Sequence, residues 1–147
     1  MKSRLGALSW ILLVVAGLVM GCASPEESYA LMEIGWADSM EGAEAESRES
    51  GKPLVAVFYV DWGEETASAK FRNETLEAPA VKRFSADFVW VEVDGEARKG
   101  MARKYEVKSY PTVIVLRADG LEVGRLDRYK GAEETAEFLE GCLDKAG

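Results

Sequence analysis

From Leu54 to Val60 the chain runs through seven apolar residues without a break, and β-branched and aromatic side chains dominate the run. A run of that length and composition predicts a strand buried on both faces. Ahead of it, Ala37 to Ser50 is rich in Ala and Glu, with Glu44 four residues before Arg48, a pairing that supports a helix. Gly51-Lys52-Pro53 ends that helix. Helical spacing resumes after Trp62 with Ala67 and Phe71, and Pro79 opens a short helix whose Ala80, Val81 and Phe84 share a face. Phe88 to Val93 predicts a second buried strand, and Ala97, Met101 and Tyr105 recur every four residues as an amphipathic helix. A third strand is expected from Thr112 to Leu116. Asp119-Gly120 is a hairpin signal, and Glu122 to Asp127 returns as the partner strand. After Gly131 a closing helix places Phe138, Leu139, Cys142 and Leu143 together. Strands alternating with helices and ending in a hairpin predict an α/β fold, a mixed sheet with helices on both faces.

The first 21 residues follow a different pattern. Lys2 and Arg4 precede an almost wholly apolar run from Leu5 to Met20, shorter than the ~20 residues that comfortably span a bilayer. It ends at Gly21-Cys22 with no stop-transfer charges, as a secretory leader does. Leu18-Val19-Met20-Gly21-Cys22 resembles a bacterial lipobox, in which the chain is cut before the cysteine and its sulfur carries lipid. An ordinary cleaved leader and an uncleaved anchor are the competing readings. Lipidation of Cys22 implies a membrane-anchored protein of the bacterial cell envelope, and Ala23 favours the outer membrane by resemblance to an enterobacterial sorting rule. The expected organisation is a signal peptide at 1–21, the lipidated cysteine and a tether at 22–33, and one domain at 34–147. Within the tether, Ser24-Pro25-Glu26-Glu27-Ser28 reads as short and polar.

Composition narrows the chemistry. The formal charge is −8, and without the leader 16 basic residues face 26 acidic ones. Such a surface repels phosphate backbones, so no nucleic-acid partner is expected. The chain has no histidine, which removes the commonest general base and zinc ligand. Its two cysteines, Cys22 and Cys142, lie far apart and have no CxxC or metal spacing.

Several fragments, in order, are familiar. Gly51-Lys52-Pro53, Phe58-Tyr59-Val60-Asp61-Trp62, Tyr105-Glu106-Val107 and Tyr110-Pro111-Thr112 resemble the thioredoxin superfamily. The likeness is in particular to the C-terminal domain of the bacterial transmembrane disulfide reductase. In that family a Trp is followed by Cys-x-x-Cys at a helix N-terminus, where backbone amides lower the first sulfur's pKa and the second sulfur resolves the mixed disulfide. Here the four positions are Gly63, Glu64, Glu65 and Thr66. The buried carboxylate that the family often carries five residues before the Trp is replaced by Val57.

The resemblance implies that Tyr110-Pro111 lies beside the Trp62 loop with a cis peptide bond, and that backbone there pairs with an extended peptide. Trp62, Tyr110 and Trp36 are then candidate aromatic anchors; the alternative is that Trp62 and Pro111 serve packing alone. Asp61, Glu64 and Glu65 suggest a cation site, against which stands the ordinary preference for acids in a helix's first turn. No metal or cofactor is expected. Cys142 reads as a core residue, with a single-cysteine redox centre as its alternative. Two functions follow: a non-catalytic module binding an unidentified envelope protein or peptide, or a thiol–disulfide oxidoreductase acting in the envelope.

Overall fold

The computed structural model describes residues 24–147; the signal-peptide and Cys22 readings fall outside them. In chain order the elements are α1 (Pro25–Ala30), α2 (Met40–Ser50), β1 (Leu54–Tyr59), α3 (Ala67–Lys70) with a continuing π-helical turn (Phe71–Thr75), α4 (Pro79–Lys82), β2 (Val89–Asp94), α5 (Lys99–Lys104), β3 (Thr112–Leu116), β4 (Glu122–Leu126) and α6 (Ala132–Ala146). The sheet order is β2-β1-β3-β4, with β1 parallel to β2 and antiparallel to β3, and β3 antiparallel to β4.

The seven-residue apolar run forms an interior strand: β1 has β2 on one edge and β3 on the other, with helices on both faces. Val55 and Val57 face one side with Trp90, Val113 and Val115, and they meet Phe71, Leu76 and Val81 together with Leu139 and Cys142 of α6. Leu54, Ala56 and Phe58 face the other side with Val89, Val91 and Ile114, under Met40 and Ala43 of α2 and Met101 and Tyr105 of α5. Each large side chain so buried contributes about 1.5–3 kcal/mol.

Two boundaries differ from the sequence reading for local reasons. The second helix starts at Met40 because Ser39 caps it, its hydroxyl accepting from Gly42 N–H at 3.0 Å. Residues upstream of that cap are used differently: Trp36 forms a parallel bridge to Trp90, and Ala37 N–H donates to the Trp90 carbonyl at 2.8 Å. The expected polar tether is also corrected. Residues 25–30 form α1, because Ser24 and Glu27 make a reciprocal capping box and Pro25 sits in the first turn. Among the described residues no helix is long and apolar enough to cross a membrane.

Candidate functional site

β1 ends at Tyr59, and the chain leaves the sheet into the loop that carries Trp62. Its base is fixed by the buried Ser68 of α3, whose hydroxyl accepts from Val60 N–H at 3.3 Å. Beyond that bond the loop is open. Asp61 to Glu65 are all exposed, and Trp62 keeps 66 % of its surface in solvent. Leaving so large an apolar side chain in water is unfavourable, and no packing within the domain accounts for it.

Thr66 decides where the helix begins. Its hydroxyl accepts from Ala69 N–H at 3.1 Å and donates to the Gly63 carbonyl at 3.1 Å, so Thr66 is the N-cap of α3. Gly63 therefore lies three residues outside the helix, at φ +123°, a region L side chains rarely adopt. A nucleophilic sulfur in this kind of loop needs the free amides of a helix N-terminus. Here position 63 precedes the cap by three residues, and the Ala69 amide is already bound to the Thr66 hydroxyl.

Facing this loop across the sheet end is Tyr110-Pro111-Thr112. Thr112 pairs with Phe58 in the register, so both segments come to the same end of β1 and β3. The Tyr110–Pro111 bond is cis, and Pro111 and Thr112 are buried. The Thr112 hydroxyl donates to the Ser109 carbonyl at 2.7 Å, and the Ser109 hydroxyl donates to the Asp127 carbonyl. Tyr110 is half-buried, its ring against Gly95, where an added Cβ would lie 2.2 Å from the phenol oxygen. Gly95 N–H in turn donates to the Tyr59 carbonyl at 2.8 Å. Burial, with Glu96 and Asp94 nearby, raises the Tyr110 hydroxyl pKa, so it stays a neutral donor.

Trp36 does not join this group. It sits beyond β2, edge-on to the Trp90 ring at 5.9 Å, and Trp90 is level with Val55 near the opposite end of β1. Strand spacing and rise put it roughly 15–20 Å from Pro111. The anchor reading of Trp36 is thus corrected: its ring completes the edge of the sheet.

One feature near the loop escaped the sequence reading. Glu92 is level with Val57 on β2 and is held by Arg72 of the π-helical turn, Nε to Oε1 at 3.0 Å and Nη2 to Oε2 at 3.3 Å. The Arg72 guanidinium also stacks over the Tyr59 ring at 4.1 Å. Bonding to Glu92 raises the Arg72 pKa. Val57 itself is fully buried in the apolar core. The signal was a lone acid inside the apolar run of β2, but its partner lies twenty residues away, on an irregular turn.

Cys142 is 1 % exposed, and burial raises its thiol to about 11. It packs against Gly124 of β4 and sits in the core with Leu139 and Val115. At neutral pH the thiolate needed for disulfide exchange is essentially absent there. Among the described residues no group of three or more Asp, Glu or Cys side chains gathers as a metal site would require.

A family profile described as a thioredoxin-like domain matches residues 40–144. The chain belongs to the thioredoxin-like domain family. Solved structures place the fold in the same group. A thioredoxin from Thermus thermophilus superposes with a TM-score of 0.69 at 24% identity, covering 79% of this chain and 92% of its own. A DsbH oxidoreductase gives 0.66 at 21% identity over 78% and 88%. The oxidised C-terminal domain of Neisseria meningitidis DsbD gives 0.57 at 24% over 68% and 89%. Protein disulfide-isomerase 1 of Caenorhabditis elegans is 24% identical over 141 residues, which is 96% of this chain and 26% of that protein. This thioredoxin-like chain thus spans about a quarter of that relative, and it is related to disulfide oxidoreductases.

Proposed function

We propose that this thioredoxin-like domain is a lipid-anchored, non-catalytic binding module of the bacterial envelope, held at the membrane through Cys22. Its partner is a protein or peptide whose extended segment lies across the Trp62–Thr66 loop beside Pro111. The carrying observation is the loop itself: position 63 is a left-handed glycine outside the helix, position 66 is a helix cap, and Trp62 stands exposed between acids. A redox loop would need sulfur at 63 and 66, and neither residue type present there can form a disulfide. An exposed Trp beside an ordered backbone edge is suited to gripping a partner.

Insulin reduction with dithiothreitol tests the catalytic side; turnover no faster than with dithiothreitol alone is expected. A photo-crosslinking residue at position 62 tests the binding side, by yielding one defined adduct in envelope preparations that position 121 does not give. Turnover that is lost on Cys142→Ser would overturn the reading. The oxidoreductase alternative is favoured by the relatives' names, and Cys142 is the sulfur it would have to use. A buried thiol that ionises near pH 11 weighs against it.

A further inference from the structure

The chain is ordered by hydrogen bonds from Ser24 onward. Ser24 N–H donates to Glu27 Oε2 at 2.9 Å, and Glu27 N–H donates to Ser24 Oγ at 3.3 Å, so α1 is capped from its first residue. The helix lies along α4, where Tyr29 lines a concavity of about 380 Å³ with Pro79, Arg83 and Ala136. Past α1 the chain stays docked: Ser85 Oγ donates to Met32 Sδ at 3.9 Å, Ile34 packs against the core, and Trp36 closes on Trp90. From Ser24 onward the chain is therefore folded, first as a capped helix on α4 and then through the contacts of Met32, Ile34 and Trp36. Cys22 is two positions before Ser24. Two residues reach at most ~7 Å even when fully extended.

One large apolar side chain stands outward on this segment. Leu31 follows Tyr29 by two residues, about 200° around the helix, and so points away from α4. It is 86 % exposed, more than any other large apolar side chain among the described residues. Of the two acids of α1, Glu26 lines the concavity beside Arg83, and Glu27, one turn before Leu31, has a carboxylate oxygen on the Ser24 amide.

We infer that the membrane carrying the Cys22 lipid is itself a docking surface of the domain, with α1 lying on the bilayer and Leu31 entering its interfacial layer. This rests on the lipidation reading above. The domain is then held at a fixed height and orientation, and the Trp62 loop is presented at one angle to partners in or on the same membrane. A leash of a dozen flexible residues would give neither constraint.

The test uses the full-length lipidated protein in phosphatidylcholine–phosphatidylglycerol vesicles. Leu31→Cys is labelled with an environment-sensitive bimane, and Leu121→Cys, on the β3–β4 turn, serves as the comparison. Cys22 is acylated and Cys142 buried, so the dye goes to the introduced thiol. Nitroxides placed near the lipid headgroups should quench position 31 at least threefold more than position 121. Lengthening the link with eight Gly/Ser residues between Ala23 and Ser24 should reduce that excess by half or more. Equal quenching at 31 and 121, with the acyl chains on Cys22 verified by mass spectrometry, overturns this inference and leaves the anchor reading standing. A Cys22 found without lipid removes both. A blue-shifted dye at position 31 that lipid nitroxides do not quench, and that crosslinks to a second copy, also overturns it.

Discussion

Two segments meet at the same end of the sheet and have opposite characters. Tyr110-Pro111-Thr112 is folded inward: Pro111 and Thr112 are buried, and the Tyr110 ring is pressed on Gly95. Asp61 to Glu65 are turned outward and lightly held, by the Val60–Ser68 bond at one end and by Thr66, which caps α3 and bonds the Gly63 carbonyl, at the other. A residue packed on several sides is costly to replace, whereas an exposed loop residue is not. The comparison separates the two reasons for a residue to be present. Packing suffices to explain Pro111, so its presence alone says little about binding. Nothing in the packing explains Trp62, and the functional argument therefore rests on that side chain.

The packed side of the comparison should break first. Gly95→Ala forces a methyl group into the Tyr110 ring and should cost about 2–3 kcal/mol in urea unfolding. Tyr110→Ala should cost a similar amount, and the double variant clearly less than the sum, because removing the ring also removes the clash. Additive losses would mean that the ring does not lean on Gly95.

The open loop should accept a disulfide poorly. Gly63→Cys with Thr66→Cys restores the two sulfurs but removes the cap and puts a side chain at φ +123°. A loss of about 2 kcal/mol is expected, with insulin reduction far below that of a thioredoxin assayed in parallel. Activity equal to that thioredoxin would mean that the loop geometry places no barrier to redox chemistry.

Cys142 gives the sulfur of the packed region a measurable signature. Its thiol ionises at about 11 when folded and near 9 when unfolded. Above pH 9 the unfolded state therefore holds fewer protons, so the stability present below pH 9 declines as pH rises toward 11. The decline should amount to about 1–2 kcal/mol more than in Cys142→Ala, where this contribution is absent. Identical alkaline profiles for the two proteins would place the thiol in a wetter setting. The smallest effect belongs to Trp62→Ala, whose unfolding free energy should stay within about 0.5 kcal/mol of the parent while crosslinking to a partner at neighbouring positions is lost. Marked destabilisation would make Trp62 a packing residue and remove the contrast.

The order of strands and helices was legible because burial on two faces writes a long apolar run, as at Leu54–Val60, and burial on one face writes a four-residue spacing, as at Met101 and Tyr105. The hairpin was legible from Asp119-Gly120 for a local reason as well, since turn geometry is chosen within a few residues. Legibility failed where composition hid a local signal or where the decisive partner was distant. Ser24 to Ser28 looked like a tether because its composition is polar, yet reciprocal capping and the neighbouring α4 make it a helix. Trp36 looked like a groove anchor because aromatic character says nothing of position, and its bridge to Trp90 spans more than fifty residues.

By itself, then, the sequence determined the fold class and the absence of sulfur at positions 63 and 66, since covalent chemistry depends on which atoms are present. It also determined that Val57 would be apolar beneath the loop. Only the tertiary structure decided that Glu92 finds Arg72 beside Tyr59 and that Cys142 is sealed among core side chains. Those outcomes depend on which surfaces come together once the sheet is formed, and contacts between residues twenty to a hundred positions apart leave no periodicity in the chain.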